Sequence, residues 1–192
     1  PKDVQLAEVQ FKPRLVEDAA ATQQQFLPAA ALDQARLLIQ NAKRPIAYIG
    51  GGVHMADAVT QLQDFLAQSP MPSVTTLKAM GTVPPSNAYY LGMLGMHGTQ
   101  AANHAVQQCD LLICLGARFD DRVTGKLAAF APDAKVIHID IDPAELHKLR
   151  RAECAMIGDL RQLLPAMSVP THCEDLSLIH ISEPTTPERI SY

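Results

Sequence analysis

The stretch "LLICLGARFDDRVTGK", residues 111–126, runs from five apolar residues through Gly116 into Arg118, Asp120, Asp121 and Arg122. A short run that is apolar at every position and stopped by glycine reads as a strand buried on both faces, the habit of parallel sheets. Working outward, "KVIHID" (135–140) reads as a further buried strand, and "IAYIG" (46–50) and "PSVTT" (72–76) as two that precede it. Helical spacing separates them. Ala31, Leu32, Ala35, Leu38, Ile39 and Ala42 mark one helix after Pro28; Met55, Ala58, Val59, Leu62, Phe65 and Leu66 a second; Ala101, Ala102, Ala105, Val106 and Cys109 a third. Asp142, Pro143 and Glu145 signal another helix start, as do Asp159 and Gln162. Strands alternating with helices imply a doubly wound α/β fold: parallel strands joined by right-handed crossovers.

Residues 1–27 lack clean periodicity and read as an entry linker, residues 28–167 as one central α/β domain, and residues 168–192 as a tail. The serine-, threonine- and proline-rich "LSLIHISEPTTPERISY" changes character so sharply that residues after about 173 read as non-native. The 192 residues suffice for one core that removes roughly 70% of the unfolded chain's surface from water. With 47% hydrophobic and 19% charged residues the composition is globular. A net charge of −4, with no basic cluster interleaved with aromatics, leaves a nucleic-acid partner without its electrostatic footprint. Cys109, Cys114, Cys154 and Cys173 share no CxxC spacing, and three of them sit in or beside apolar segments, which suits buried thiols in a reducing compartment better than a disulfide frame. No apolar run is long enough for a membrane span, and "PKDVQLAEVQ" is not a secretory signal, so a cytoplasmic location is expected.

Ligands of open α/β sheets bind beyond the carboxyl ends of the strands, where this chain carries "GGG" (50–52), "TTLK" (75–78), "GARFDDR" (116–122) and "DIDP" (140–143). Three glycines before a helix let a pyrophosphate approach backbone amides, or else merely permit a tight turn. The dinucleotide fingerprint fails because position 55 is Met55 and no acid ends the second strand, which disfavours NAD. Asp140 supplies an acid two strands later, suited to ribose hydroxyls. "LGMLGMHGT" (91–99) reads as a loop offering bare backbone and thioethers to a flat ring, with core gap-filling by its methionines as the alternative. His97 and His104 have no third ligand at metal spacing, so no metal site is expected. The four charges after Gly116 read either as a solvated ion-pair cluster or as a site keeping a guanidinium for a phosphate or an electron-rich ring.

In this order, "YIGGG", "TTLKAMG", "LGMLGMHGT", "LGARFDDRVTG" and "VIHIDIDPAE" resemble the central domain of the acetolactate synthase (acetohydroxyacid synthase) family, catalytic large subunit. The likeness spans residues 1 to about 167. It implies a six-stranded parallel sheet flanked by helices, and an FAD without an obligatory redox role. Matched by motif, the FAD contacts fall on Gly50, Gly51, Gly52, Thr76, Leu77 and Lys78, and on Leu94, Gly95, Met96 and His97. Others fall on Gly116, Ala117, Arg118, Asp120, Arg122 and Val123, then Asp140, Ile141, Asp159 and Leu160. Lys2, Met96 and Asp121 match positions at the family's substrate channel, where sulfonylurea-type herbicides lodge.

The resemblance further implies a parent that condenses pyruvate with a second 2-ketoacid on thiamine diphosphate and Mg2+ in branched-chain amino-acid biosynthesis. Its partners would be flanking domains, a second catalytic subunit and a small regulatory subunit. The family's thiamine-diphosphate motif is missing from these residues, since "GDL" (158–160) continues as a capped helix, and the domain carrying the activating glutamate is not among them. The chain is therefore expected to hold no catalytic residue and to be inactive alone. Rival readings are the middle domain of a glyoxylate carboligase or pyruvate oxidase type of enzyme, against which "GARFDDRVTG" speaks, and a cofactor-free structural or oligomerisation module.

Overall fold

The computed structural model describes residues 28–171. Six strands form one parallel sheet: β1 (Pro45–Ile49), β2 (Ser73–Thr75), β3 (Tyr90–Met93), β4 (Leu111–Leu115), β5 (Lys135–Asp140) and β6 (Cys154–Ile157). Their spatial order is β3-β2-β1-β4-β5-β6, so the winding reverses between β1 and β4, where doubly wound sheets open their ligand crevice.

Alternation of side chains splits the buried strands between two cores. Ala47, Ile49, Leu111, Ile113, Leu115, Ile137 and Ile139 face one layer, filled by α1 (Ala29–Asn41), α3 (Val59–Gln68) and α6 (Leu160–Met167) through Leu32, Ile39, Leu62, Phe65 and Leu163. Ile46, Tyr48, Leu112, Cys114, Val136 and His138 face the other, covered by α4 (Gln100–Gln108) and by the chain around Phe119 and Phe130. Burial on both faces explains why these strands read as unbroken apolar runs.

Four expectations are corrected. The helix expected from Met55 is two pieces, α2 (Gly52–Met55) and α3, because Asp57 takes a left-handed conformation (φ 53°) and ends the first turn. The expected loop at 91–99 begins inside an edge strand. Gly92 (φ 93°) lies within β3 beside a register shift against β2, an irregularity that glycine tolerates. Asp142 caps only a single 3-10 turn (Pro143–Glu145): Glu145 pairs with Lys148 at 2.7 Å, and His147 turns left-handed (φ 60°). Strand β6 was not anticipated. Beyond α6, buried Ser69 donates to Val169 O and accepts from Val169 N. Expectations for residues 1–27, including Lys2, and for residues 172–192, including Cys173, lie outside the described residues.

Candidate functional site at the carboxyl edge of the sheet

Register alone aligns the strand ends. Thr75, Ile49, Leu115 and Ile139 pair side by side, and the backbone bonds continue past them. Leu94 N donates to Thr75 O, Thr76 N to Ile49 O, Gly50 N to Leu115 O, Gly116 N to Ile139 O, and Gly158 N to Asp140 O. Each of these segments thus leaves the sheet from the same edge. Gly51, Arg118 and Asp140 follow or end three adjacent strands, so they share that edge.

Of the two uses expected for the glycine run, Gly50 and Gly52 serve the tight turn. The amides of Gly50 and Gly52 are bonded to the carbonyls of Leu115 and Gly116, at 2.9 and 3.0 Å, and are not free for an anion. A Cβ at Gly50 would stand 2.1 Å from Gly116 O, and one at Gly52 2.8 Å from Gly116 Cα. These glycines let two loops touch backbone to backbone. Among the three, Gly51 keeps an amide outside these bonds, and a Cβ there would meet Lys78 Cβ at 2.9 Å. The helix behind them, α2, is a single turn.

The other expected contacts sort by burial. Leu94, Ala117 and Leu160 are core side chains, Leu160 lying under Gly116. Val123 packs against the core and beside Gly95, whose virtual Cβ would meet Arg122 O at 2.9 Å. Lys78, His97, Arg118, Asp121 and Arg122 are exposed. So are Leu77 (69%), Met96 (73%) and Ile141 (60%). Met55, Met80 and Ile157 join them, so most of the large apolar side chains left exposed among the described residues stand in the segments that end or follow the strands. Thr76 adds a buried hydroxyl without a hydrogen-bond partner.

The charged loop does not neutralise itself. Asp120 caps the turn α5 (Asp121–Thr124), accepting from Arg122 N at 3.0 Å, and that bond holds its carboxyl below the usual range. Among the described residues neither Arg118 nor Arg122 has an ion-pair partner within 4.0 Å. Asp140 accepts from Asp142 N at 3.0 Å. Asp159 caps α6 through Arg161 N and pairs with the Arg161 guanidinium at 2.6 Å, which lowers its carboxyl. His104 bonds Gln108 within α4, and no three His, Cys, Asp or Glu side chains gather as a metal cluster among the described residues.

Two supports went unread in the sequence. Asn103, on α4, accepts from Gly95 N and donates to Gly95 O, pinning the 94–98 loop. Tyr48, Cys114 and His138 reach the 117–118 carbonyls from inside the strands. Burial raises the tyrosine and thiol and lowers the histidine, so all three are neutral. The signal that marks them is a polar-tipped residue within each apolar strand. A concavity of about 330 Å³ lies at the opposite end of the sheet, lined by Leu37, Asp110 and Lys135 among others, away from this edge.

Residues 32–167 match the family described as thiamine pyrophosphate enzyme, central domain. The acetolactate synthase isozyme 2 large subunit of Escherichia coli K12 is 55% identical over 177 residues, covering 91% of this chain and 31% of that protein. The acetolactate synthase large subunit of Corynebacterium glutamicum is 46% identical over 186 residues, 95% of this chain and 29% of that protein. The isozyme 1 large subunit of E. coli K12 is 42% identical over 180 residues, 91% of this chain and 31% of that protein. The chain thus spans about a third of the length of these relatives. With its six parallel strands and the match over most of its length, the chain belongs to the central-domain family of thiamine pyrophosphate enzymes.

Proposed function

We propose that this chain is the FAD-binding, scaffolding central domain of an acetolactate synthase large subunit. The observation that carries the reading is the carboxyl edge itself, where guanidiniums without an ion pair among the described residues, exposed thioether and aliphatic side chains and an unpartnered buried hydroxyl converge. That donor set fits FAD. Arg118 and Arg122 suit its pyrophosphate, Leu77, Met96 and Ile141 its flat rings, Asp140 a ribose and Thr76 a polar ring edge. Bound flavin would supply a redox-capable ring, while the domain's own role on this reading is scaffolding.

The names of the three relatives favour acetolactate synthase over glyoxylate carboligase or pyruvate oxidase. In the parent protein, a cytoplasmic enzyme on this reading, pyruvate would condense with a second 2-ketoacid on thiamine diphosphate in branched-chain amino-acid synthesis. The segment 158–160 does not fit that diphosphate, because Asp159 is spent on capping α6 and on Arg161. Catalysis is accordingly assigned to other parts of the parent. The "large subunit" in the relatives' names supports a smaller regulatory partner, alongside a second catalytic subunit.

The test is a titration of the purified chain with FAD, read by quenching of flavin fluorescence and by thermal shift. Saturable quenching with a rise in melting temperature is expected; at 100 times Kd, binding stabilises by about 2.7 kcal/mol. A folded, monodisperse chain that neither co-purifies with flavin nor responds to it would overturn the reading. It would leave the exposed apolar edge as a structural contact surface.

A further inference from the structure

Tyr48, Cys114 and His138 stand in one row across the sheet: Tyr48 is in register with Cys114 on β1 and β4, and Cys114 with His138 on β4 and β5. All three point into the core layer that contains Phe119, and all are essentially buried. Their polar tips have a shared destination. Tyr48 Oη donates to Arg118 O, Cys114 Sγ to Ala117 O and His138 Nε2 to Ala117 O, each at 3.0 Å. A carbonyl oxygen has two lone pairs, so Ala117 O takes both of its donors. Phe119 closes the arrangement, its ring edge-on to His138 at 5.3 Å and tilted against Tyr48 at 6.2 Å.

Polar groups in a dry apolar layer are unfavourable unless hydrogen-bonded, and phenylalanine, alanine or leucine would fill these positions without that liability. What the polar atoms supply is a fixed backbone at 117–118. With its carbonyl tied inward, Arg118 carries its side chain to the surface, and after the buried Phe119 comes Asp120, the cap that sets Arg122. We propose that Tyr48, Cys114 and His138 form a positioning row that fixes the 117–122 loop, and through it the arginines that receive an anionic ligand. The identity of that ligand rests on the proposed FAD function; the holding of the loop does not.

The test uses the full chain and the variants Tyr48→Phe, His138→Leu and His138→Gln, the last retaining an N–H donor. Hydrogen–deuterium exchange without ligand is followed at amides 116–124, with the strand amides of β1 and β4 as the folding control. Faster exchange confined to 116–124 is expected in Tyr48→Phe and His138→Leu, with the glutamine variant returning toward wild type. FAD affinity should fall about three- to tenfold in Tyr48→Phe, and less than about twofold when the same change is made in an Arg118→Ala background. Unchanged exchange at 116–124 in a folded Tyr48→Phe, or a loss of affinity of equal size in both backgrounds, overturns the positioning row. Should wild type take up no FAD, the flavin reading fails, and the exchange data alone still decide whether the row holds the loop.

Discussion

Gly50 and Gly116 are in backbone contact at the point where the winding of the sheet reverses: a Cβ built on Gly50 would sit 2.1 Å from the Gly116 carbonyl oxygen. Both flanking strands are fully buried, and Gly50 N is bonded to Leu115 O, so neither loop has room to withdraw. Gly50→Ala should therefore destabilise by at least about 1–3 kcal/mol, the usual range for overpacking. Gly81→Ala is the contrast, since its added methyl meets open space and only the positive φ of 90° resists it, at roughly 1 kcal/mol. Urea unfolding midpoints of the two variants test the order; a Gly50→Ala protein as stable as Gly81→Ala would refute the close approach.

Arg118 separates binding from folding. Its backbone is anchored by Tyr48, yet its side chain is exposed and, among the described residues, without an ion pair within 4.0 Å. Arg118→Ala should change stability by no more than about 0.5 kcal/mol, as surface substitutions do. FAD affinity should drop roughly tenfold or more with the loss of a charge-assisted bond. Equal titration curves for variant and wild type would remove the residue from the site.

The contrast between these two positions shows what can be read locally. The strands containing Leu111–Leu115 and Lys135–Asp140 declare themselves because burial on both faces demands apolar residues throughout. The charged loop is equally visible, since charges directly after such a strand are anomalous. The purpose of Gly50 and Gly52 is not visible, because the atom they make room for belongs to Gly116, more than sixty residues away. β6 was hidden for a related reason. Its four residues "CAMI" come directly after the charged 147–153 segment and are organised by distant partners: Glu153 N donates to Val136 O, and the Glu153 carboxylate accepts from Val136 N at 2.5 Å. The start signals at Asp142 and Pro143 misled in the opposite sense. A cap satisfies only the first turn, and residues 146–151 have no apolar stripe to bury, with Leu149 left exposed.

Ser69 ties the end of α3 to the segment after α6. Its hydroxyl donates to Val169 O at 2.5 Å and accepts from Val169 N at 3.0 Å, fully buried between α3 and the chain after α6. Ser69→Ala strands a buried amide and a buried carbonyl together, at a cost of about 1–3 kcal/mol. Because the bond lies at the opposite end of α3 from the strand-edge loops, FAD affinity measured well below the melting temperature should stay within about twofold of wild type. An unaltered unfolding midpoint would mean that water replaces the serine without loss.

His138 should make stability fall on mild acidification. Burial in the Phe119 layer lowers its pKa from 6.5; the Ala117 carbonyl, Asp140 and Glu145 pull the other way, and His147 adds to the lowering. The native state thus binds fewer protons than the unfolded state at pH values between the lowered native pKa and 6.5. Stability rises with pH across that window and is lost as pH falls through it. The carboxylates of Asp120 and Asp159, whose native values are depressed, act in the same direction but at more acidic pH. Urea midpoints at about pH 7.5 and about pH 5.5 isolate the histidine if wild type is compared with His138→Gln, which carries a donor but does not titrate. Wild type should lose more stability than the variant over this interval. Parallel losses in the two proteins would show that the buried imidazole is protonated as readily in the fold as in water.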